Sequence, residues 1–296
     1  MSLVIIGGSS AQALAFKVAK ELNAPFIDCE YKKFPDGEKY IRVEEDVEGK
    51  KVALVQSMYL TPDEYLLEYF LLVDNLKDMG AREIIGVIPY FAYARQDARF
   101  KPGEALSLKT IVSLIEKTGT DKVFTVDMHL HRVENVNRLF KIPAKNLTAI
   151  PLLGEYVKKE FILHDTLVIG PDEEAEQWAK TMAETLGTEY DILEKKRLSA
   201  TEVEIAPREL DVKTRDLVIV DDIISTGGTL AKTIEVLKKK GAKKIVATCT
   251  HPVLVENALK RIYKAGGDAV IGTDTIPSPV SYVSVAPLIA EALRKL

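Results

Sequence analysis

DLVIVDDIISTGGTLAKTIEVLKKK, residues 216–240, decides the fold. The apolar run DLVIV leads into two adjacent acids, Asp221 and Asp222; ISTGGT then turns the chain into LAKTIEVLKKK, whose apolar positions recur at helical spacing. A short apolar strand, a Gly-rich turn and a helix form the unit of a parallel sheet covered by helices. The turn falls at the carboxyl edge of that sheet, where open α/β folds bind their ligands. Thr226, Gly227, Gly228 and Thr229 make a tight turn whose N–H groups and hydroxyls, with that of Ser225, converge on a helix N-terminus, where the dipole favours an anion. A phosphate suits that geometry, but the GK[ST] ending of a Walker A loop is absent. The two acids would repel a phosphate beside them, yet they match the vicinal hydroxyls of a sugar whose phosphate lies one turn further on. A phosphorylated ribose satisfies both ends. An ordinary strand-to-helix turn needs one capping residue and at most one glycine, so most of these polar positions would be surplus to a cap.

The same alternation runs outward through the chain. Apolar runs at 3–6, 51–56, 83–88 and 122–127 read as strands of a first half, with helices at 11–22, 63–79 and 106–117. Runs at 166–169, 216–220, 244–249 and 269–272 repeat the order in a second half. NLKDMGAREIIGVIPYF, from Asn75, overlays VLKKKGAKKIVATCTHP, from Val236, with Gly80 over Gly241, and Leu3 overlays Leu167 at nearly the same offset. The chain is therefore a duplicated α/β unit rather than a short-period solenoid. Gly80 and Gly241 each follow a helix and read as its C-terminal cap. IPAKNLTAIP, residues 142–151, carries two prolines and no periodicity, which places a boundary there, with domains over 1–144 and 145–296. The tail SYVSVAPLIAEALRKL, from Ser281, is able to pack back on the first domain, a point the sequence leaves open.

Composition sets the limits around this reading. With 296 residues, 47% hydrophobic and 28% charged, the chain can bury two cores and is neither disordered nor fibrous. A net charge of -4, from 40 Lys plus Arg against 44 Asp plus Glu, argues against a nucleic-acid or membrane-surface binder. The two cysteines, Cys29 and Cys249, are far apart and read as small buried hydrophobes rather than a disulfide. No apolar run approaches the ~18 residues of a membrane span, so a cytoplasmic protein is expected.

DDIISTGGT resembles the phosphoribosyl diphosphate loop of the type I phosphoribosyltransferase fold. The duplication narrows the resemblance to the ribose-phosphate pyrophosphokinases, built from two such domains, each a mostly parallel sheet flanked by helices, and it covers nearly the whole chain. The resemblance implies transfer of the β,γ-diphosphoryl group of MgATP to the C1 hydroxyl of ribose 5-phosphate, giving 5-phosphoribosyl 1-diphosphate and AMP. It assigns Asp221 and Asp222 to the ribose and Ser225, Thr226, Gly227, Gly228 and Thr229 to its 5-phosphate. Many family members carry an acid where this chain has Ser225.

Other motifs take their roles from the same resemblance. FPDGE, Phe34 to Glu38, is by itself a proline–glycine turn. In the family Phe34 stacks on adenine while Asp36, Gly37 and Glu38 contribute to ATP binding, reaching into a neighbouring subunit's site, which implies a homo-oligomer, at least a dimer. PYFAYARQD puts Arg95, Gln96 and Arg99 at the carboxyl edge of the first sheet, where guanidinium forks match triphosphate oxygens. DMHLH ends the fourth strand; in an extended chain His129 and His131 point the same way, yet two histidines alone do not make a zinc site. The family assigns His129 to Mg2+ carried with ATP and gives His131 no role. Asp172, in GPDEEAEQWA, sits where a carboxylate completes the magnesium site, or alternatively where it caps a helix. The family has a glycine near Glu174, so Glu173 and Glu174 are not carried over. EKKRLSATEVEI, from Glu194, has little apolar periodicity and reads as an exposed loop; Lys195 and Arg197 fit the family's Lys-x-Arg on a mobile loop and are the expected catalytic cations, Arg197 also facing ribose 5-phosphate. Two other classes use the same phosphate loop. A phosphoribosyltransferase needs only one such domain and no ATP clamp, and a ligand-sensing regulator has no use for Lys195 and Arg197.

Overall fold

The computed structural model describes residues 2–99, 101–130, 135–197, 203–206 and 211–296, and it divides into two compact units. The first comprises Met1–Thr148 with Ser284–Leu296, the second Ala149–Val283.

In the first unit the strands are β1 (Leu3–Gly7), β2 (Phe26–Ile27), β3 (Cys29–Lys33), β4 (Lys39–Val43), β5 (Lys51–Val55), β6 (Glu83–Ile88), β7 (Lys122–Val126) and β8 (Ala144–Leu147). Its first helices are α1 (Gln12–Leu22), α2 (Pro62–Asp78) and α3 (Ser107–Lys117). Six described strands form one parallel sheet in the order β2-β1-β5-β6-β7-β8, in register from Leu3 opposite Lys51 to Gly7 opposite Val55. Helices cover both faces, so the strands are apolar almost throughout: Val4, Ile5, Ile6, Val52, Ala53 and Leu54 are all buried. β3 and β4 leave the sheet as an antiparallel hairpin between the second and third strands of the chain order.

The second unit repeats this plan. It holds α4 (Ile150–Glu160), β9 (Leu167–Gly170), α5 (Glu176–Leu186), β10 (Glu189–Ile192), β11 (Glu194–Arg197), β12 (Val203–Ala206), β13 (Asp216–Ile224), α6 (Gly228–Lys239), β14 (Lys244–Pro252), α7 (Ala258–Lys264), β15 (Ala269–Thr273) and β16 (Ser281–Val283). The parallel order β10-β9-β13-β14-β15-β16 is the first sheet's order again, and β11–β12 is the matching antiparallel excursion. Both sheets are mostly parallel and flanked by helices, the tandem architecture expected from the sequence. The glycines that overlay each other, Gly80 and Gly241, sit just past α2 and α6 at φ +79° and +96°, the left-handed geometry that a side chain resists.

Three local readings change. Residues 194–206 contain the β11–β12 ribbon rather than a plain loop: Lys195 pairs with Ile205 and Arg197 with Val203 through backbone bonds, which a run of charges does not announce. The aperiodic stretch at 142–151 holds the sixth strand, β8, and the start of α4, whose Pro151 occupies the first turn, where its missing N–H costs nothing. β13 continues past the acids to Ile224, because its later residues still pair with β14 as far as Ile224 opposite Pro252.

The C-terminal helix α8 (Ala286–Arg294) belongs to the first unit. It packs on α1, and Arg294 donates to the Glu21 carbonyl. Both cysteines are free and buried, Cys29 with its thiol pushed up to about 11, chiefly by burial. No described helix is long and apolar enough to cross a membrane.

Candidate active site

The loop after β13 has the form the sequence predicts, with one addition. Gly227 is the N-cap of α6 at φ +69°, and a Cβ there would lie 3.2 Å from the Ala258 carbonyl oxygen, so conformation and space both demand glycine. A Cβ on Gly228 would meet only Thr226 Oγ1, at 3.7 Å, leaving the helix mouth open above it. No side chain caps α6, and Ser225, Thr226 and Thr229 make no side-chain hydrogen bond among the described residues. Three hydroxyls thus flank the helix N-terminus without serving as caps, the arrangement of an anion cradle. The addition is Arg261, on α7, which donates to the Thr226 carbonyl and fixes the loop's backbone from behind. A lone arginine inside an amphipathic helix gave no signal of this in sequence.

The acids stand side by side with a third. Asp222 is 2% exposed and its N–H donates to Asp221 Oδ1 at 2.9 Å. Burial raises the Asp221 carboxyl well above the usual carboxylate range, and the charges of Asp222 and Asp172 push it further. Asp172 caps the 3₁₀ turn Glu173–Ala175, accepting from Ala175 N–H at 3.2 Å, so the capping role read from sequence is realised while its charge still reaches Asp221. Cys249 lies opposite Asp221 in the register; burial lifts its thiol far above the ordinary value and keeps it inert.

In the first unit FPDGE forms the tip of the β3–β4 hairpin. Phe34 N–H donates to Glu38 O at 2.8 Å, Gly37 N–H donates to Phe34 O at 2.9 Å, and Gly37 adopts φ +100°, the closure of a three-residue hairpin loop. Phe34 is 48% exposed, with its ring 6.1 Å from that of Tyr40 in a T-shaped pair; Asp36 accepts from Glu38 N–H at 3.2 Å. Arg95, Gln96 and Arg99 follow β6. Arg95 is exposed, with no hydrogen bond or ion pair among the described residues. Gln96 and Arg99 are held: Gln96 Nε2 donates to Glu104 Oε2 at 3.2 Å and Arg99 Nε to the Glu104 carbonyl at 2.8 Å. Glu104, which also accepts from Lys101 N–H at 3.1 Å, was not singled out in the sequence.

His129 is half-buried beyond β7. That strand stops at Val126 and the backbone turns at Asp127, φ +37°. His131 lies outside the described residues, as do the side chains of Lys195 and Arg197 on β11. Among the described residues no three His, Cys, Asp or Glu side chains gather into a metal cluster.

Residues 3–119 match the N-terminal domain of ribose phosphate pyrophosphokinase and residues 135–283 a phosphoribosyl transferase domain. The chain is 46% identical over 292 residues to the ribose-phosphate pyrophosphokinase of Methanothermobacter thermautotrophicus, covering 98% of this chain and 100% of that protein. It is 40% identical to that of Pyrococcus furiosus, covering 98% and 100%. The crystal structure of phosphoribosylpyrophosphate synthetase from Mycobacterium smegmatis superposes with a TM-score of 0.89 at 29% identity, covering 99% of this chain and 98% of that one.

Proposed function

The chain belongs to the ribose-phosphate pyrophosphokinase family, and on that premise we propose how its residues divide the reaction. The enzyme transfers the β,γ-diphosphoryl group of ATP to the C1 hydroxyl of ribose 5-phosphate, giving 5-phosphoribosyl 1-diphosphate and AMP. The observation that carries the assignment is the cradle at α6: three hydroxyls and a helix N-terminus without a side-chain cap, with free space over Gly228.

In the second unit Ser225, Thr226 and Thr229, with the backbone at Gly227 and Gly228, hold the 5-phosphate, and Asp221 and Asp222 hold the ribose hydroxyls. In the first unit Arg95, Gln96 and Arg99 hold the triphosphate, and Phe34, Asp36, Gly37 and Glu38 hold adenine. Lys195 and Arg197 neutralise charge spreading over the β-phosphate and the departing α-phosphate oxygen. Phosphoryl-type transfer asks the protein for alignment and charge stabilisation, and direct attack by the C1 hydroxyl needs no nucleophile from the protein.

Magnesium keeps most of its waters and phosphate oxygens and takes one or two protein ligands, so two side chains suffice to hold it with ATP. His129 and Asp172 are the ligands in this reading; Asp172 offers the hard oxygen donor that the ion prefers. Bound with ATP, magnesium draws negative charge from the phosphate oxygens. A cytoplasmic homo-oligomer, with the exposed Phe34 tip entering a neighbouring subunit's ATP site, completes the proposal.

The test is direct. Purified protein given ribose 5-phosphate, ATP and magnesium releases AMP. No AMP above background sinks the assignment, and pyrophosphate release from phosphoribosyl diphosphate plus a base would replace it with a phosphoribosyltransferase.

A further inference from the structure

Glu68, in the middle of α2, is 2% exposed, and a buried carboxylate persists only where donors saturate it. Four donors reach it. Ser9 supplies its N–H to Oε1 and its hydroxyl to Oε2, both at 2.8 Å; Gln56 Nε2 donates to Oε1 at 2.8 Å; Lys39 Nζ lies 2.9 Å from Oε2. These donors come from three places: the turn after β1, the end of β5, and the first residue of β4. Gln56 is itself set by Ser10, whose hydroxyl lies 2.8 Å from Gln56 Oε1, so neither the amide nor the carboxylate is free to turn.

Lys39 follows Glu38 directly and is the point where the FPDGE tip joins its strand. Its side chain is 13% exposed, and besides Glu68 it lies 3.8 Å from Glu64 and over the Tyr65 ring at 5.5 Å. The other leg of the hairpin is tied to α2 by Lys33 and Glu64 at 3.1 Å, but both partners are exposed, where such pairs contribute little. The hairpin base has its own anchor, Tyr31 donating to the Gly7 carbonyl at 2.6 Å. The tip is thus fixed to the sheet edge mainly by one buried ion pair.

We propose that Glu68 is a positioning residue for nucleotide binding: through Lys39 it sets the angle at which the Phe34–Glu38 tip is presented, without touching substrate. This rests on the reading of FPDGE as the adenine contact. A Glu68→Gln variant keeps the shape and part of the hydrogen bonding but leaves the Lys39 ammonium without its buried counter-charge, so Lys39 swings to water and the tip loses its tether.

The expected result is a rise of about 10-fold in KM for ATP, with kcat and KM for ribose 5-phosphate within about 2-fold. Amide hydrogen exchange accelerates at residues 34–39 while β1 and β5 stay protected. The double variant Lys39→Met, Glu68→Gln removes both charges; it regains thermal stability yet keeps the raised KM and the fast exchange, because the tether is still gone. If KM for ATP and tip exchange recover together with Tm, or never change in any of these variants, Glu68 is a structural residue only and the inference is overturned. Lys39→Met alone gives the same tip exchange should Glu68→Gln fail to fold. Phe34→Ala separates the two claims: faster tip exchange in the Glu68 variant, with KM for ATP unmoved by it and by Phe34→Ala, leaves the positioning intact and removes the adenine assignment.

Discussion

The carboxyl edges of the two sheets are built on one plan and use their polar groups in opposite ways. In the first unit the residues after β1 and β5 spend their hydrogen bonds internally: Ser9 and Gln56 converge on the buried carboxylate of Glu68. In the second unit the carboxylates crowd together and the loop hydroxyls stay open. The charges of Asp222 and Asp172 push on the raised Asp221 carboxyl, and the hydroxyls of Ser225, Thr226 and Thr229 make no side-chain hydrogen bond among the described residues. A duplicated edge can supply its own anion and become a rigid support, or leave its donors open and become a binding site. The two hairpins divide in the same manner. β3–β4 is docked on α2 and carries the tip proposed to meet the nucleotide in the ground state, whereas β11–β12 carries the cations proposed to act in the transition state.

The largest effect tests that division of hairpins. Lys195→Ala lowers turnover at least ~100-fold while ATP binding, measured at equilibrium, stays nearly unchanged, as for an interaction made only in the transition state. Parallel losses of binding and rate would put β11–β12 in the same class as β3–β4.

A second comparison exchanges the edges. Replacing Thr226 and Thr229 together with alanine raises KM for ribose 5-phosphate about 30-fold, at roughly 1 kcal/mol for each hydrogen bond, with Tm little altered. Ser9→Ala in the first unit does the reverse, because it strips a donor from a buried carboxylate: Tm falls and KM for ribose 5-phosphate holds. Steady-state kinetics beside thermal melts decide it, and a Tm loss for the threonine pair would mean the cradle is structural after all.

The smallest effect concerns the strain among the acids. The Asp221 carboxyl is raised in the folded protein, so as pH climbs from the usual carboxylate range the unfolded chain gives up this proton first. Folded stability contributed by this group is then lost as pH rises through the raised value. Asp221→Asn therefore melts higher than the parent at neutral pH without ligand, the gap closes as pH falls below about 4, and activity drops. A variant that melts lower at neutral pH would show that Asp221 is stabilised by its neighbours rather than strained.

Much of the site was legible because its signals are local. Two glycines and three hydroxyl residues at a strand-to-helix turn specify a cradle through neighbours a few residues apart, and FPDGE specifies a hairpin loop in the same way. The ribbon around Lys195 was missed because Glu-Lys-Lys-Arg has no apolar face to give a period of two, and its pairing rests on backbone bonds. β8 was missed because AKNL, though buried at both ends, is too short for alternation to register. Glu104 and Arg261 hold functional loops through backbone carbonyls, which no residue pattern advertises.

The sequence by itself determined the two α/β units, their internal repeat, the α6 cradle and the family, since each follows from periodicity, turn chemistry or close similarity along the chain. Only the tertiary structure decided which edge turns its hydroxyl groups inward and which leaves them without a side-chain bond. Ser9 and Glu68 stand 59 residues apart, and the placement of α8 against α1 joins the two ends of the chain. Contacts of that range depend on how the strands order themselves in a sheet, which periodicity along the chain does not encode.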